Sequence, residues 1–186
     1  MDLKNKKDTK YKKYDSIYSR SLISRNISLP ITTIGSNIQE TIEKYISANF
    51  EEKCIVEGFI QPGSCKIITY SSGLVKGLNI QIDVVFECQA CCPVEGMLIQ
   101  CVAKNITKAG IRAESAIETP SPIIVFITRD HNYKSEYFST VKEEDKVVIR
   151  VIGQRFELND KYVSIIAELV EPKEEFKPKP RIEFGP

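Results

Sequence analysis

The sequence has a single histidine, no apolar run approaching membrane-span length and no stretch that reads as a catalytic motif. Its longest apolar runs, such as residues 123–127, fall far below the roughly 20 residues that a membrane helix requires. The lysine-rich N-terminus lacks the apolar core of a secretory signal. These absences predict a protein that is neither secreted nor inserted in a membrane. His131 falls in an expected loop with no identifiable second group beside it, and general-base chemistry needs that group. No catalytic residue is expected.

What is present is the make-up of an ordinary globule. With 186 residues, 42% hydrophobic and 27% charged, the chain suits one large or two small domains. The net charge of +1 is unevenly spread: residues 1–14 carry +4, residues 171–186 are neutral, and residues 15–170 are left with −3. An acidic body argues against a dedicated nucleic-acid binder whose affinity comes from counterion release. Six cysteines include Cys88 and Cys91 at zinc-knuckle spacing, with Cys92 adjacent. A structural zinc site wants four ligands, and Cys54, Cys65 and Cys101 stand alone. The thiols are therefore expected to be reduced, small core hydrophobes, with no metal and no cofactor.

Taken in order, residues 1–14 carry charge without periodicity and predict a disordered basic arm. Residues 18–29 alternate as a strand with Ile23, Ile27 and Leu29 on its apolar face, and Pro30 and Gly35 bracket the loop that follows. Ser36 and Gln39 form a capping-box pattern ahead of a helix whose stripe is Ile38, Ile42, Tyr45 and Ile46, with Asn49 near its end. A second strand at 53–60, a turn at 61–64, a third strand at 65–70 and a long strand at 74–88 complete an α+β half. The long strand is the clearest signal, because Leu78, Ile80, Ile82, Val84, Phe86 and Cys88 alternate with wettable residues. Pro93 and Gly96 end it. Five short strands follow, at 96–105, 110–118, 123–130, 147–156 and 162–171, with a turn of helix expected at 135–141. That is the pattern of an all-β five-stranded OB barrel. Phe126, inside an apolar run, is expected in its core, and Lys66 and Lys76 are expected to face solvent. The boundaries are thus a 1–14 arm, a 15–92 domain with a helix on a small antiparallel sheet, a 93–171 OB-fold domain, and a disordered 172–186 tail.

The order of these features resembles one family. Leu29-Pro30 to Gly35 precede the helix, Glu57-Gly58 lead into a turn, Val85-Phe86 lie in the long strand, and Cys92-Pro93-Val94-Glu95-Gly96 open the barrel. Over roughly residues 17–171 this is similar to the larger stalk subunit of archaeal and eukaryotic multisubunit DNA-directed RNA polymerases. The resemblance implies that the first half is a tip domain docking on the polymerase core through Pro30, Ile34, Gly35, Gly58, Phe59, Pro62 and Gly63. The glycines among them would allow close approach by another chain. It also implies an OB half facing nascent RNA, with Lys104, Lys108, Arg112, Arg129, His131 and Tyr133 as the RNA-facing candidates. The expected partners are the large core subunits, a smaller stalk subunit and, weakly, nascent RNA. The second barrel strand, 109–114, has no aromatic on which bases could stack, so that contact is expected through phosphates. Isoleucine-, lysine- and asparagine-rich composition suits a copy encoded by a large DNA virus. Such a copy would reside in the virion and cytoplasmic viral factory, and a cellular one in the cytoplasm or nucleus. Two other readings compete: a free-standing OB module binding RNA or single-stranded DNA, and an enzyme using Cys88, Cys91 or Cys92 as a nucleophile or redox pair. The second lacks a base, since His131 lies about 40 residues away and thiol chemistry needs one nearby.

Overall fold

The computed structural model describes residues 16–35, 37–133 and 135–171. The arm at 1–14 and the tail at 172–186 lie outside these residues. The described chain is mostly β, with one α-helix and two sheets.

The first sheet is built on one strand. β6 (Asn79–Cys91) pairs antiparallel along its whole length with β1 (Tyr18–Pro30), from Tyr18 opposite Cys91 to Pro30 opposite Asn79. Its other edge is filled in succession by β5 (Leu74–Lys76), β4 (Lys66–Tyr70) and β3 (Gly58–Ile60), with β2 (Cys54–Ile55) beyond β3. Alternation sends Ile82, Val84, Phe86, Cys88 and Ala90 to one face, where all are buried. Helix α1 (Ile38–Phe50) lays Ile42 and Ile46 on that face, joined by Ile23, Ile27 and Leu29 of β1. Phe50 meets Phe86 with ring centroids 5.5 Å apart.

Several local expectations are corrected. The helix is capped by Asn37, whose side-chain oxygen accepts from the Glu40 amide at 3.3 Å; Gln39 instead donates to Glu43 along the helix. Asn caps as well as Ser, so the start moves by one residue; Ser36 lies outside the described residues. The 53–60 strand is a tight hairpin of β2 and β3, turning at Val56-Glu57. The 74–88 strand is likewise split: Gly77, at φ +60, turns β5 back on β6. Leu78 lies in that turn, 86% exposed, rather than on the apolar face.

The second sheet is a closed barrel. Strands β7 (Leu98–Ile106), β8 (Gly110–Ser115), β9 (Ile123–Thr128), β10 (Lys146–Arg155) and β11 (Val163–Val170) close in the order β10-β11-β9-β8-β7. Only the β9–β11 pair is parallel. Ile99, Ile111, Ile123, Val125, Ile127, Ile149 and Ile165 fill the interior. The expected helical turn at 135–141 is the 3-10 turn Tyr137–Ser139, and a second such turn, Asp130–Asn132, precedes it. Buried Asn132 fixes this connection, donating to the Thr128 carbonyl and accepting from the Leu169 amide, both at 2.8 Å.

The two sheets meet at the β2–β3 hairpin. The Cys54 amide donates to the Asp160 carbonyl at 2.7 Å, and the Asn159 amide to the Cys54 carbonyl at 2.8 Å. Ile17, Cys54, Phe59 and Cys91 belong to the barrel-side core.

Glu51, at the C-terminal end of α1, ties the helix to the start of β4. Burial works against its carboxylate, but hydrogen bonds from the Ser47 hydroxyl and the Gly63 and Cys65 amides hold its pKa below the ordinary 4.5. A depressed carboxylate contributes stability above the unfolded value and loses it as pH falls through the folded one. Urea midpoints measured from pH 5 downward are therefore expected to fall less steeply in Glu51→Gln than in the parent. Identical slopes would remove Glu51 from the acid response.

Candidate functional site

The residues expected to dock on a partner fall into two groups that the structure keeps apart. Pro30, Ile34 and Gly35 lie at the Asn79 end of β6, and Gly58, Phe59, Pro62 and Gly63 lie at the Cys91 end. The twelve residue steps from Asn79 to Cys91, at about 3.3 Å each, separate them by roughly 40 Å. They cannot form one surface. Gly58 is buried at φ +116, and a Cβ there would overlap the carbonyl oxygen of Cys91. Its close backbone approach, expected toward another chain, is to its own β6. Phe59 is buried in the barrel-side core. Pro62 is exposed, and lines a cleft of about 380 Å³ with Tyr18, Phe59, Glu118 and Lys161, between the two sheets. Burial raises the Tyr18 phenol well above its ordinary pKa, with nearby Cys91 and Glu118 adding to it.

The far end of the first sheet has a different character. Ile31, Leu74, Val75 and Leu78 are all exposed there, and the Ile31 amide bonds the Leu78 carbonyl at 2.9 Å, which joins the 31–35 loop to the β5–β6 turn. Exposed apolar residues gathered in one place mark an interaction surface. Ile31 and Ile34 thus share this surface with β5 residues that the sequence pattern placed in the long 74–88 strand.

The basic barrel residues are also divided. Lys104 forms a two-pronged ion pair with Glu144, at 2.9 and 3.0 Å, inside a groove of about 430 Å³ that Glu114 and Glu118 also line. Three carboxylates against one ammonium make this groove unsuited to phosphate. Arg112 pairs with Glu114 at 3.1 Å. The Arg129 amide bonds the Ala109 carbonyl at 3.1 Å, bringing Arg129 beside the exposed Lys108 turn, and the Arg129 guanidinium stands 5.3 Å above the Phe138 ring. His131 and Tyr133 follow, both exposed, in the adjoining turn.

Sequence reasoning missed the most informative barrel residue. Phe126, expected in the core, is 44% exposed on the outer face of β9, because Ile123, Val125 and Ile127 take the inward positions. Strand periodicity alone carried that signal. Cross-strand register lines up Asn105, Arg112, Phe126, Ile166 and Gly153 as one outward row over all five strands. Beside Phe126 lies a mostly apolar groove of about 290 Å³, lined also by Asn105, Thr107, Arg112 and Thr128. The Thr128 hydroxyl is buried and has no hydrogen-bond partner among the described residues. The Phe126 ring and the Asn105 side-chain amide are the groups this groove leaves open, an apolar face with one polar edge.

The cysteines divide by strand geometry. Cys88 and Cys91 are three residues apart on β6 and face opposite sides, Cys88 beneath α1 and Cys91 in the barrel-side core. Burial pushes the thiols of Cys54, Cys91 and Cys101 up to about 12, away from nucleophilic reactivity. Among the described residues no three His, Cys, Asp or Glu side chains are grouped as a metal site requires. No described helix is long and apolar enough to cross a membrane.

Fold and surfaces together define a protein with a closed five-stranded barrel joined to a helix-backed sheet, bearing an apolar far end and one exposed aromatic, Phe126, in the outer row of the barrel. No family model matches the chain. It is similar to a protein of Acanthamoeba polyphaga mimivirus that carries the provisional name DNA-directed RNA polymerase subunit L376. The two are 24% identical over 173 residues, covering 84% of this chain and 83% of that protein.

Proposed function

We propose that the protein is a non-catalytic subunit of a multisubunit DNA-directed RNA polymerase. The observation that carries this reading is the similarity to the mimivirus protein, which spans too much of the chain to be confined to either sheet. The reading continues to a stalk role: residues 15–92 act as the tip and residues 93–171 as an OB-type barrel. The apolar far end, at Ile31, Leu74, Val75 and Leu78, docks on the large core subunits. It lies some 40 Å along β6 from the barrel, by the residue rise of a strand, so docking leaves the barrel free for nascent RNA and a smaller stalk subunit. The large subunits supply the catalysis. A giant-virus relative supports a virus-encoded polymerase working in a cytoplasmic viral factory and carried in the virion.

RNA contact in this reading is led by Phe126 rather than by phosphate-binding cations, since Lys104 and Arg112 are engaged by carboxylates. Tethering offsets weak intrinsic affinity, because a docked barrel meets exiting RNA at high effective concentration. Phe126→Ala is expected to weaken binding of single-stranded RNA by the purified chain about tenfold, the loss of one stacked base. Fluorescence anisotropy measures this, and the exposed position predicts an unchanged thermal midpoint. Unaltered RNA affinity would remove Phe126 from the interface.

A free-standing nucleic-acid module is less consistent with the −3 charge of residues 15–170. The deciding experiment is recovery of the tagged full chain from cells that make it, with mass spectrometry of what accompanies it. The two largest polymerase subunits are expected in stoichiometric amounts. A free monomer that does not bind them at micromolar concentration overturns the assignment.

A further inference from the structure

Cys65 and Cys88 occupy a position that nothing in the proposed function uses. Cys65 immediately precedes β4, and the β4–β6 register, with Lys66 opposite Glu87, continues to Cys65 opposite Cys88. Directly opposed residues of an antiparallel pair hold their Cβ atoms about 4.5–5.5 Å apart. A disulfide spans about 3.5–4.5 Å between the same atoms, so a small adjustment of the strand start closes it. Both side chains face one core: Cys88 is fully buried beneath α1, and half-buried Cys65 packs against that cluster. Both are free thiols, and they are hydrogen-bonded to each other. The Cys65 amide is held from the other side by the Glu51 carboxylate at 3.0 Å, which fixes the strand start against the end of α1.

We propose that Cys65 and Cys88 form a reversible intramolecular disulfide when the protein meets a peroxide. The thiol hydrogen bond divides the roles. Cys65 donates its S–H, which draws the Cys88 pKa below the ordinary thiol value, whereas that bond, burial and the Glu51 carboxylate raise Cys65. Cys88 therefore acts as the thiolate. Its sulfur attacks one peroxide oxygen, the O–O bond breaks, hydroxide leaves, and Cys88 becomes a sulfenic acid. The Cys65 sulfur then attacks the Cys88 sulfur, the S–OH bond breaks, and water leaves with the Cys65 proton. Two thiols and one peroxide give one disulfide and two waters. The bond ties β4 to β6 beside the C-terminal end of α1, and it acts on the sheet whether or not that sheet docks on a polymerase.

The test uses the full-length chain, treated with hydrogen peroxide, quenched by alkylation and mapped by mass spectrometry of non-reduced peptides. A linked peptide joining Cys65 to Cys88 is expected. The free-thiol count should fall from six to four and return to six with dithiothreitol. Closing the 65–88 loop should raise the thermal midpoint by roughly 5 °C or more. Cys65→Ser should abolish the linked peptide and the rise, and Cys92→Ser should retain both. Should Cys88→Ser fail to fold, the half-buried Cys65 variant decides alone. The proposal is overturned if all six thiols survive peroxide that fully oxidises free glutathione, if the linkage joins any other pair, or if Cys65 is overoxidised without pairing.

Discussion

Gly58→Ala is expected to destabilise the fold by about 3 kcal/mol or more, the sum of a backbone conformation L-residues avoid and an overlap that only main-chain movement relieves. Gly58 sits at φ +116, and its missing side chain leaves room for the Cys91 carbonyl and the Cys92 side chain. The bend allows β3 to pair with the end of β6 while β2 reaches the barrel through Cys54. Gly63 provides the control. It also has positive φ, at +68, but a Cβ there meets nothing within 4 Å. Gly63→Ala should therefore cost only about 1–2 kcal/mol, the left-handed penalty without the overlap. Urea midpoints of the two variants measure the difference; equal losses would mean that the contact with Cys91 is not what requires glycine.

The second large effect concerns assembly. Leu74→Asp combined with Leu78→Asp is expected to abolish recovery of the polymerase large subunits while leaving the thermal midpoint unchanged. Both leucines are exposed, so the monomer loses little. At an apolar interface each carboxylate must be desolvated, and central contacts of this kind cost about 2 kcal/mol or more each, so affinity should fall at least roughly 100-fold. Val56→Asp, equally exposed but at the barrel end of the sheet, should leave recovery intact. Loss with the Val56 variant and retention with the leucine pair would place the docking surface at the wrong end of the molecule.

Much of the architecture was legible from periodicity, because a strand buried on one face must alternate. The run from Ile80 to Cys88 therefore identified β6, the helical stripe identified α1, and five short strands identified the barrel. Turns at glycine were less legible. At Gly77, and at Val56-Glu57 just ahead of Gly58, the chain reverses within segments whose apolar content reads as continuous strand, since reversal depends on backbone angles rather than on hydrophobicity. The surfaces were hardest to read. Lys104 and Arg112 looked like phosphate ligands until the fold supplied Glu144 and Glu114 as neighbours, and Glu144 is distant from Lys104 in sequence. Leu78 shows the opposite error, an apolar residue assigned to the buried face that the fold leaves in solvent.

The full-length pairing of β1 with β6 has a mechanical consequence. Thirteen consecutive residue pairs link the far end of the sheet to the barrel end. A tug along the strands, with one end held and the other pulled, loads these pairs in shear, so many hydrogen bonds must rupture together instead of unzipping singly. The same geometry gives little resistance to a sideways peel of the three-residue β5, which pairs with β6 only from Leu74 to Lys76. The molecule is a stiff strut lengthwise, and its weakest grip is at the tip of the free edge.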